Sequence, residues 1–166
     1  IPQVGCGYLA VQSKTGPFAM DHPNGKLMRQ ALSHAIDKEA IHQAIFNGLS
    51  ESLNGFYGTA SSWHMPDIKN IKEYDPEKSK AILRKLNAMN TPVAVVARQA
   101  YSYMHQTGEI VYSMLEEAGF KVTNEVFDNP VLRKKYKKSD YGVDSTANSY
   151  RFEPDQWYSV NVLSSG

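Results

Sequence analysis

Six residues near the ends of predicted strands have side chains suited to gripping a small ligand. Tyrosine combines a flat ring that stacks on a ligand with a hydroxyl that makes one hydrogen bond. Arginine offers a fixed fork of donors to a carboxylate or another anion. The predicted ligand-binding residues are Arg98, Tyr101, Tyr103, Asn148, Tyr150 and Arg151. The three tyrosines fall in predicted loops, and for them a purely structural packing role is the alternative.

The sequence contains none of the spacings that mark common catalytic or metal sites. Five histidines occur without an HExxH or His-x-His pattern, and a single cysteine, Cys6, excludes an internal disulfide and a cysteine-based zinc site. No phosphate-binding glycine loop and no GxSxG nucleophile motif is found. The carboxylate pairs Glu116–Glu117 and Asp140/Asp144 are interpreted as solvated surface. We therefore expect no catalytic residues, no metal and no cofactor.

The composition is that of a globular domain without a strong electrostatic field. Apolar residues make up 42 % of the 166 residues, charged residues 21 %, and the net charge is +1. This balance favours neither nucleic acid nor an anionic membrane as a partner. The basic run 134–138 is interpreted as a solvated helix face. Because the chain opens without a signal peptide and starts and stops abruptly, we expect a piece excised from a longer protein.

Hydrophobic periodicity and capping residues predict the secondary structure. Apolar residues recur at helical spacing over 26–36, Asp37 precedes a second helix over 38–47 that Gly48 ends, and Asp75-Pro76-Glu77 begins a third. The second helix is expected to bury Ala40, Ile41, Ala44 and Ile45, and the third to bury Ala81, Ile82, Leu83 and Leu86. The further predicted elements are strands over 4–12, 93–97, 120–127 and 141–147, helices over about 105–118, 129–138 and 154–162, and a long surface loop over 49–74.

The order of these elements predicts an α/β fold. From residue 91 onward strands and helices alternate, which is typical of a parallel or mixed sheet covered by helices. Such sheets bind ligands at the carboxyl ends of their strands. This rule directs attention to residues 98–103, 127–129 and 148–152, which include all six predicted ligand-binding residues.

Four ordered segments resemble a known family. Residues 28–41, MRQALSHAIDKEAI, are similar to the signature of the bacterial extracellular solute-binding proteins of family 5, the oligopeptide-, dipeptide- and nickel-binding proteins of ABC importers. Residues 74–83, 114–122 and 153–155 resemble three later landmarks of that family in the same order, and 8–18 resembles its upstream strand and loop.

The resemblance implies a periplasmic binding protein-like lobe with an N-terminal helical segment and a long loop. Family members close two lobes on a ligand, and this chain resembles most of the second lobe. We expect one domain with a hinge-proximal strand and loop over 1–25, a helical segment over 26–90 and an alternating segment over 91–166. The family further implies a periplasmic or lipid-anchored monomer that has no enzymatic activity, binds a peptide or small solute, and passes it to an ABC permease without contacting nucleic acid.

The loop over 148–154 departs from the pattern of the peptide-binding members. In the peptide-binding members of the family that this chain resembles, this loop carries an aspartate that pairs with the peptide's amino terminus. In this chain Tyr150 or Arg151 falls at the corresponding position. An arginine would instead favour a carboxylate or another anionic group. The alternative for Arg151 is a pairing with nearby Glu153 or Asp155, or a position in solvent.

Two further functions stay open on the residues alone. One is a small α/β hydrolase or transferase that uses His105 with Asp128 or Asp140. The other is a stand-alone interaction domain that contacts its partner through the 49–74 loop.

Overall fold

The computed structural model describes residues 5–50, 53, 55, 57–59, 61–65 and 73–149. The predicted helix over 154–162 and part of the predicted 49–74 loop lie outside these residues. Within them the chain forms four strands, five α-helices and a short 3-10 helix at Gly16–Phe18. The bounds are β1 Gly5–Val11, α1 Gly25–Ala35, α2 Lys38–Phe46, α3 Pro76–Lys85, β2 Pro92–Arg98, α4 Ser102–Glu117, β3 Lys121–Phe127, α5 Asn129–Lys138 and β4 Val143–Ser149.

The four strands form one mixed sheet in the order β1-β4-β2-β3, which confirms the predicted α/β class. Strand β2 runs parallel to both of its neighbours, β3 and β4. Strand β1 pairs antiparallel with β4, so Gly5 lies opposite Ser149 and Val11 opposite Val143. The first and last strands of the described chain are therefore adjacent.

The main core fills one face of the sheet, between the strands and helices α1, α3 and α4. Strand residues Val93, Val95 and Val143 meet Leu83 of α3 and Leu115 of α4 there, and all five are buried. Because side chains alternate along a strand, Val96 and Asp144 face the opposite side. Helix α5 lies on that side, and its Leu132 is 1 % exposed.

Helical period explains which predicted core positions are wrong. In α3, Ser79 and Leu83 are four residues apart and buried, whereas Ala81 lies on the other side of the helix and is exposed. Of the four positions predicted to be buried in α2, Ala40 and Ala44 are exposed and Ile41 and Ile45 are partly buried. The predicted apolar face of α2 therefore covers the core only partly.

Capping side chains set several of the boundaries. Asp75 Oδ1 accepts a hydrogen bond from the Lys78 amide at 2.8 Å, and Asp128 Oδ1 accepts one from the Val131 amide at 2.9 Å. Helix α2 ends at Phe46, and its C-cap residue Asn47 adopts the left-handed conformation with φ 50°, so the helix ends one residue earlier than predicted and Asn47 rather than Gly48 terminates it. Helix α4 begins at Ser102, three residues before the predicted start, and this places Tyr103 in a helix rather than in a loop.

The core packing predicts a large difference between two identical substitutions. Leu115 is fully buried and Leu49 is 90 % exposed. We expect Leu115→Ala to lower the free energy of unfolding by about 2–5 kcal/mol, because it removes buried methyl groups and leaves a cavity. Leu49→Ala is expected to change it by less than about 0.5 kcal/mol. Urea denaturation of the two variants checks this, and equal losses would contradict the described core.

Candidate functional site

The three parallel strands end at one edge of the sheet, and the last residue of β2 is Arg98. Strand β3 ends beside it, where the Gln99 amide donates to the Phe127 carbonyl at 2.9 Å. Strand β4 pairs with β2 up to Ala97 and Ser145 and then runs on to Ser149. The carboxyl edge of the sheet therefore brings together Arg98, the turn into α4 and the last residues of β4.

The Arg98 guanidinium is held by three groups from two other elements. Nη1 donates to the Thr146 hydroxyl, and Nη2 donates to the Tyr136 hydroxyl at 3.0 Å. The Tyr136 hydroxyl donates in turn to Asp144 Oδ2 at 2.6 Å. Arg98 Nη1 lies 3.9 Å from the same carboxylate oxygen, which is ion-pair distance but too long for a hydrogen bond. The predicted ligand-binding arginine is thus oriented by the protein itself.

Burial dominates the electrostatics of this network. The Asp144 side chain is 5 % exposed and that of Arg98 is 22 % exposed. Desolvation raises the pKa of the Asp144 carboxyl, and the Tyr136 hydrogen bond, the Arg98 charge and the Thr146 hydroxyl offset part of this effect. Desolvation also raises the pKa of the Tyr136 phenol, and the hydrogen bond to Asp144 adds to that rise. The interpretation of Asp144 as solvated surface is therefore wrong.

The basic run 134–138 is likewise only partly solvated. Tyr136 interrupts it, half-buried against the sheet, and meets Tyr141 edge to face with 5.3 Å between ring centroids. Lys135 bonds Asp140 at 3.0 Å and lies 4.8 Å from the centre of the Phe127 ring. Sequence reasoning missed Tyr136 and Asp144, since only the packing of α5 on β4 brings them to Arg98.

An aromatic cluster lies where β2 turns into α4. The ring centroids of Tyr101 and Tyr103 are 6.0 Å apart, and those of Tyr103 and Phe46 are 6.2 Å apart. Tyr101 is 47 % exposed and Phe46 37 %. Partial burial raises the pKa of the Tyr103 phenol, Tyr101 adds to the rise, and Arg98 opposes it. The contact between Phe46 and Tyr103 joins the end of α2 to the start of α4. No local sequence pattern predicts this contact.

Asn148 lies in β4 rather than in the predicted loop. Its side-chain Nδ2 donates to the Tyr8 hydroxyl of β1 at 2.9 Å. Strand alternation puts Asn148, Thr146 and Asp144 on one face of β4. The remaining predicted ligand-binding residues, Tyr150 and Arg151, lie outside the described residues.

The groups of the enzyme alternative are occupied by local structure. Asp128 caps α5, and Asp140 pairs with Lys135. In the described part of the chain neither carboxylate bonds to His105, and no group of three or more His, Cys, Asp or Glu residues is placed to hold a metal ion. Among the helices of that same part, none has the length and apolarity needed to cross a membrane.

The mixed α/β sheet therefore has a cation and exposed rings at its carboxyl edge, the place where open α/β sheets bind ligands. The family model "Bacterial extracellular solute-binding proteins, family 5 Middle" matches residues 1–166. The chain belongs to this family, as its resemblance predicted.

Relatives of known name and structure agree with this assignment. Heme-binding protein A of Haemophilus influenzae is 25 % identical over 162 residues, 95 % of this chain and 28 % of that protein. The dipeptide-binding protein of Escherichia coli is 29 % identical over 85 residues, 51 % of this chain and 15 % of that protein. The ABC transporter-associated periplasmic binding protein DppA from Helicobacter pylori, solved with the peptide STSA, superposes with a TM-score of 0.79.

The likeness to the Helicobacter pylori structure covers 94 % of this chain and 29 % of that one, at 18 % identity, so it establishes the fold. This confirms the periplasmic binding protein-like architecture. The chain spans less than a third of the length of the relatives it matches.

The buried Asp144 predicts a pH-dependent stability difference. Its pKa is raised above the ordinary 3.8, so the folded state keeps this proton to higher pH than the unfolded state does. The wild-type free energy of unfolding therefore loses a contribution as pH rises from about 4 through the raised pKa. We expect Asp144→Asn, which cannot titrate, to become steadily more stable relative to wild type across that window, as measured by urea denaturation.

The exposed Asp140 provides a control for the loss of one negative charge through Asp140→Asn. A stability difference between Asp144→Asn and wild type that stays constant with pH, or that shrinks as pH rises, would contradict the raised pKa.

Proposed function

We propose that this chain is part of the ligand-binding lobe of an ABC importer's solute-binding protein. In this proposal the protein captures a peptide or another small solute between two lobes and delivers it to a membrane permease. The observation that carries the proposal is Arg98, a partly exposed and oriented cation at the carboxyl edge of the sheet. Open α/β sheets bind ligands outside this edge.

The pairing of β1 with β4 supports a second lobe on the same side. Gly5 lies opposite Ser149, so the chain enters β1 and leaves β4 at the edge that Arg98 occupies. A lobe connected through both strands would face Arg98 across a cleft, and closure of that cleft would bury the ligand. The core draws on all three expected segments, 1–25, 26–90 and 91–166, which supports one domain.

Arg98 and the aromatic cluster favour a ligand with a carboxylate and a flat or apolar part. An arginine donates charge-assisted hydrogen bonds to a carboxylate, and exposed tyrosine rings stack on apolar groups. Heme and a dipeptide, the ligands in the names of two relatives, both carry carboxylates. We include Tyr101, Tyr103 and Asn148 in the site, together with Tyr150 and Arg151, which lie outside the described residues.

The remaining features of the proposal follow the family. Its description as extracellular supports a location in the periplasm or at the outer face of the membrane through a lipid anchor. The site holds no catalytic group in this proposal and needs no cofactor. The protein works as a monomer whose macromolecular partner is the permease, not nucleic acid.

The test begins with native mass spectrometry of the full-length protein as purified from its host. We expect a co-purified solute that carries a carboxylate or another anionic group. Arg98→Ala should weaken its binding in titration calorimetry by about 1.5–3 kcal/mol, the value of a hydrogen bond to a charged group. This corresponds to a loss of roughly ten- to 150-fold in affinity.

Arg133→Ala is the matched control, because Arg133 is exposed on α5. Its affinity should equal that of the wild type. A neutral solute, or equal affinities for Arg98→Ala and Arg133→Ala, would remove Arg98 from the site and with it the anionic-ligand proposal.

A further inference from the structure

Tyr136 stands between two opposite charges that do not touch. Its hydroxyl accepts from Arg98 Nη2 at 3.0 Å and donates to Asp144 Oδ2 at 2.6 Å. Arg98 Nη1 and Asp144 Oδ2 are 3.9 Å apart, about 1 Å more than a direct charge-assisted hydrogen bond requires. The phenol therefore replaces a direct ion pair with a two-step chain of hydrogen bonds.

This arrangement leaves most of the arginine's donors available. A guanidinium carries five N–H groups. Thr146 and Tyr136 take one each, and within the described residues the other three have no hydrogen-bond acceptor. In a direct bidentate ion pair, two parallel N–H groups of Arg98 would instead donate to the Asp144 carboxylate inside the protein. The intervening Tyr136 phenol thus leaves guanidinium N–H groups of Arg98 available to donate to an external anion.

The Tyr136 ring is itself fixed in place. Tyr141 packs against it edge to face, and the guanidinium carbon of Arg98 lies 5.8 Å from its ring centre. A chain of hydrogen bonds with little freedom lowers the ordering cost that a ligand meets on binding. Both hydrogen bonds of the Tyr136 hydroxyl are to protein groups, Arg98 and Asp144, so its effect on a ligand passes through Arg98.

We propose that Tyr136 is a positioning residue, a hydroxyl spacer that stops Arg98 from closing onto Asp144 and so gives the site its preference for carboxylates. This rests on the proposed function in one respect, that Arg98 contacts the ligand. The spacer itself is a property of Tyr136, Arg98 and Asp144, with the Thr146 hydroxyl holding Arg98 Nη1 beside them, and it can be tested without any ligand.

The binding test uses the full-length protein and two probes, alanyl-alanine and its C-terminal amide alanyl-alaninamide. Wild type should bind the acid more tightly than the amide. Tyr136→Phe should reduce this acid-to-amide affinity ratio about tenfold, because Arg98 then pairs with Asp144. Adding Asp144→Asn to Tyr136→Phe should restore the ratio, because the competing carboxylate is gone. Tyr141→Phe, which keeps the ring contact and the spacer, should leave the ratio unchanged.

The structural test is a crystal structure of Tyr136→Phe without ligand. We expect the Arg98–Asp144 separation to close from 3.9 Å to about 2.8 Å. An unchanged separation overturns the spacer proposal, as does a Tyr136→Phe variant that weakens acid and amide equally or a double variant that fails to recover. If wild type binds neither probe, dipeptides are excluded as the ligand class. The spacer proposal is then tested by the Tyr136→Phe crystal structure alone.

Discussion

Strand β2 is paired on both sides, and this constraint shapes everything around it. Its neighbours β3 and β4 run parallel to it, so its middle residues are enclosed by sheet and helices and must be apolar. Val95, Val96 and Ala97 are each 0 % exposed. Arg98 is the first position of β2 where a charge is tolerated, because this strand ends there. The same pairing that keeps the middle of β2 apolar places a cation at the carboxyl end of this strand.

Local chemistry let the sequence predict the elements and the edge of the sheet at which several candidate residues lie. Three features can be recognised from short stretches of sequence: the Asp75-Pro76 start of α3, the apolar stripe of α1, and the alternation of strands with helices. The structure has each of them near its predicted place. The carboxyl-edge rule then placed Arg98, Tyr101 and Tyr103 in one region. Errors at this level were shifts of a few residues, such as the earlier start of α4 that draws Tyr103 into the helix.

Long-range contacts were out of reach for the same reasoning. The antiparallel pairing of β1 with β4 joins residues about 140 positions apart, and neither strand carries a local mark of its partner. Tyr136 lies within the basic run 134–138, and Asp144 was paired in the sequence analysis with the exposed Asp140. The sequence therefore predicted that both side chains lie in solvent. Only the docking of α5 on the sheet buries them, and that docking depends on the assembled fold. The polar network beneath Arg98 is therefore visible in structure alone.

The adjacency of β1 and β4 also bears on how such a lobe evolves. In this unit the start of β1 and the end of β4, Gly5 and Ser149, lie opposite each other. Inserted or exchanged units are tolerated best when their ends lie close together. Exchange of such a unit between homologues would therefore depend on matching a single pair of neighbouring strands.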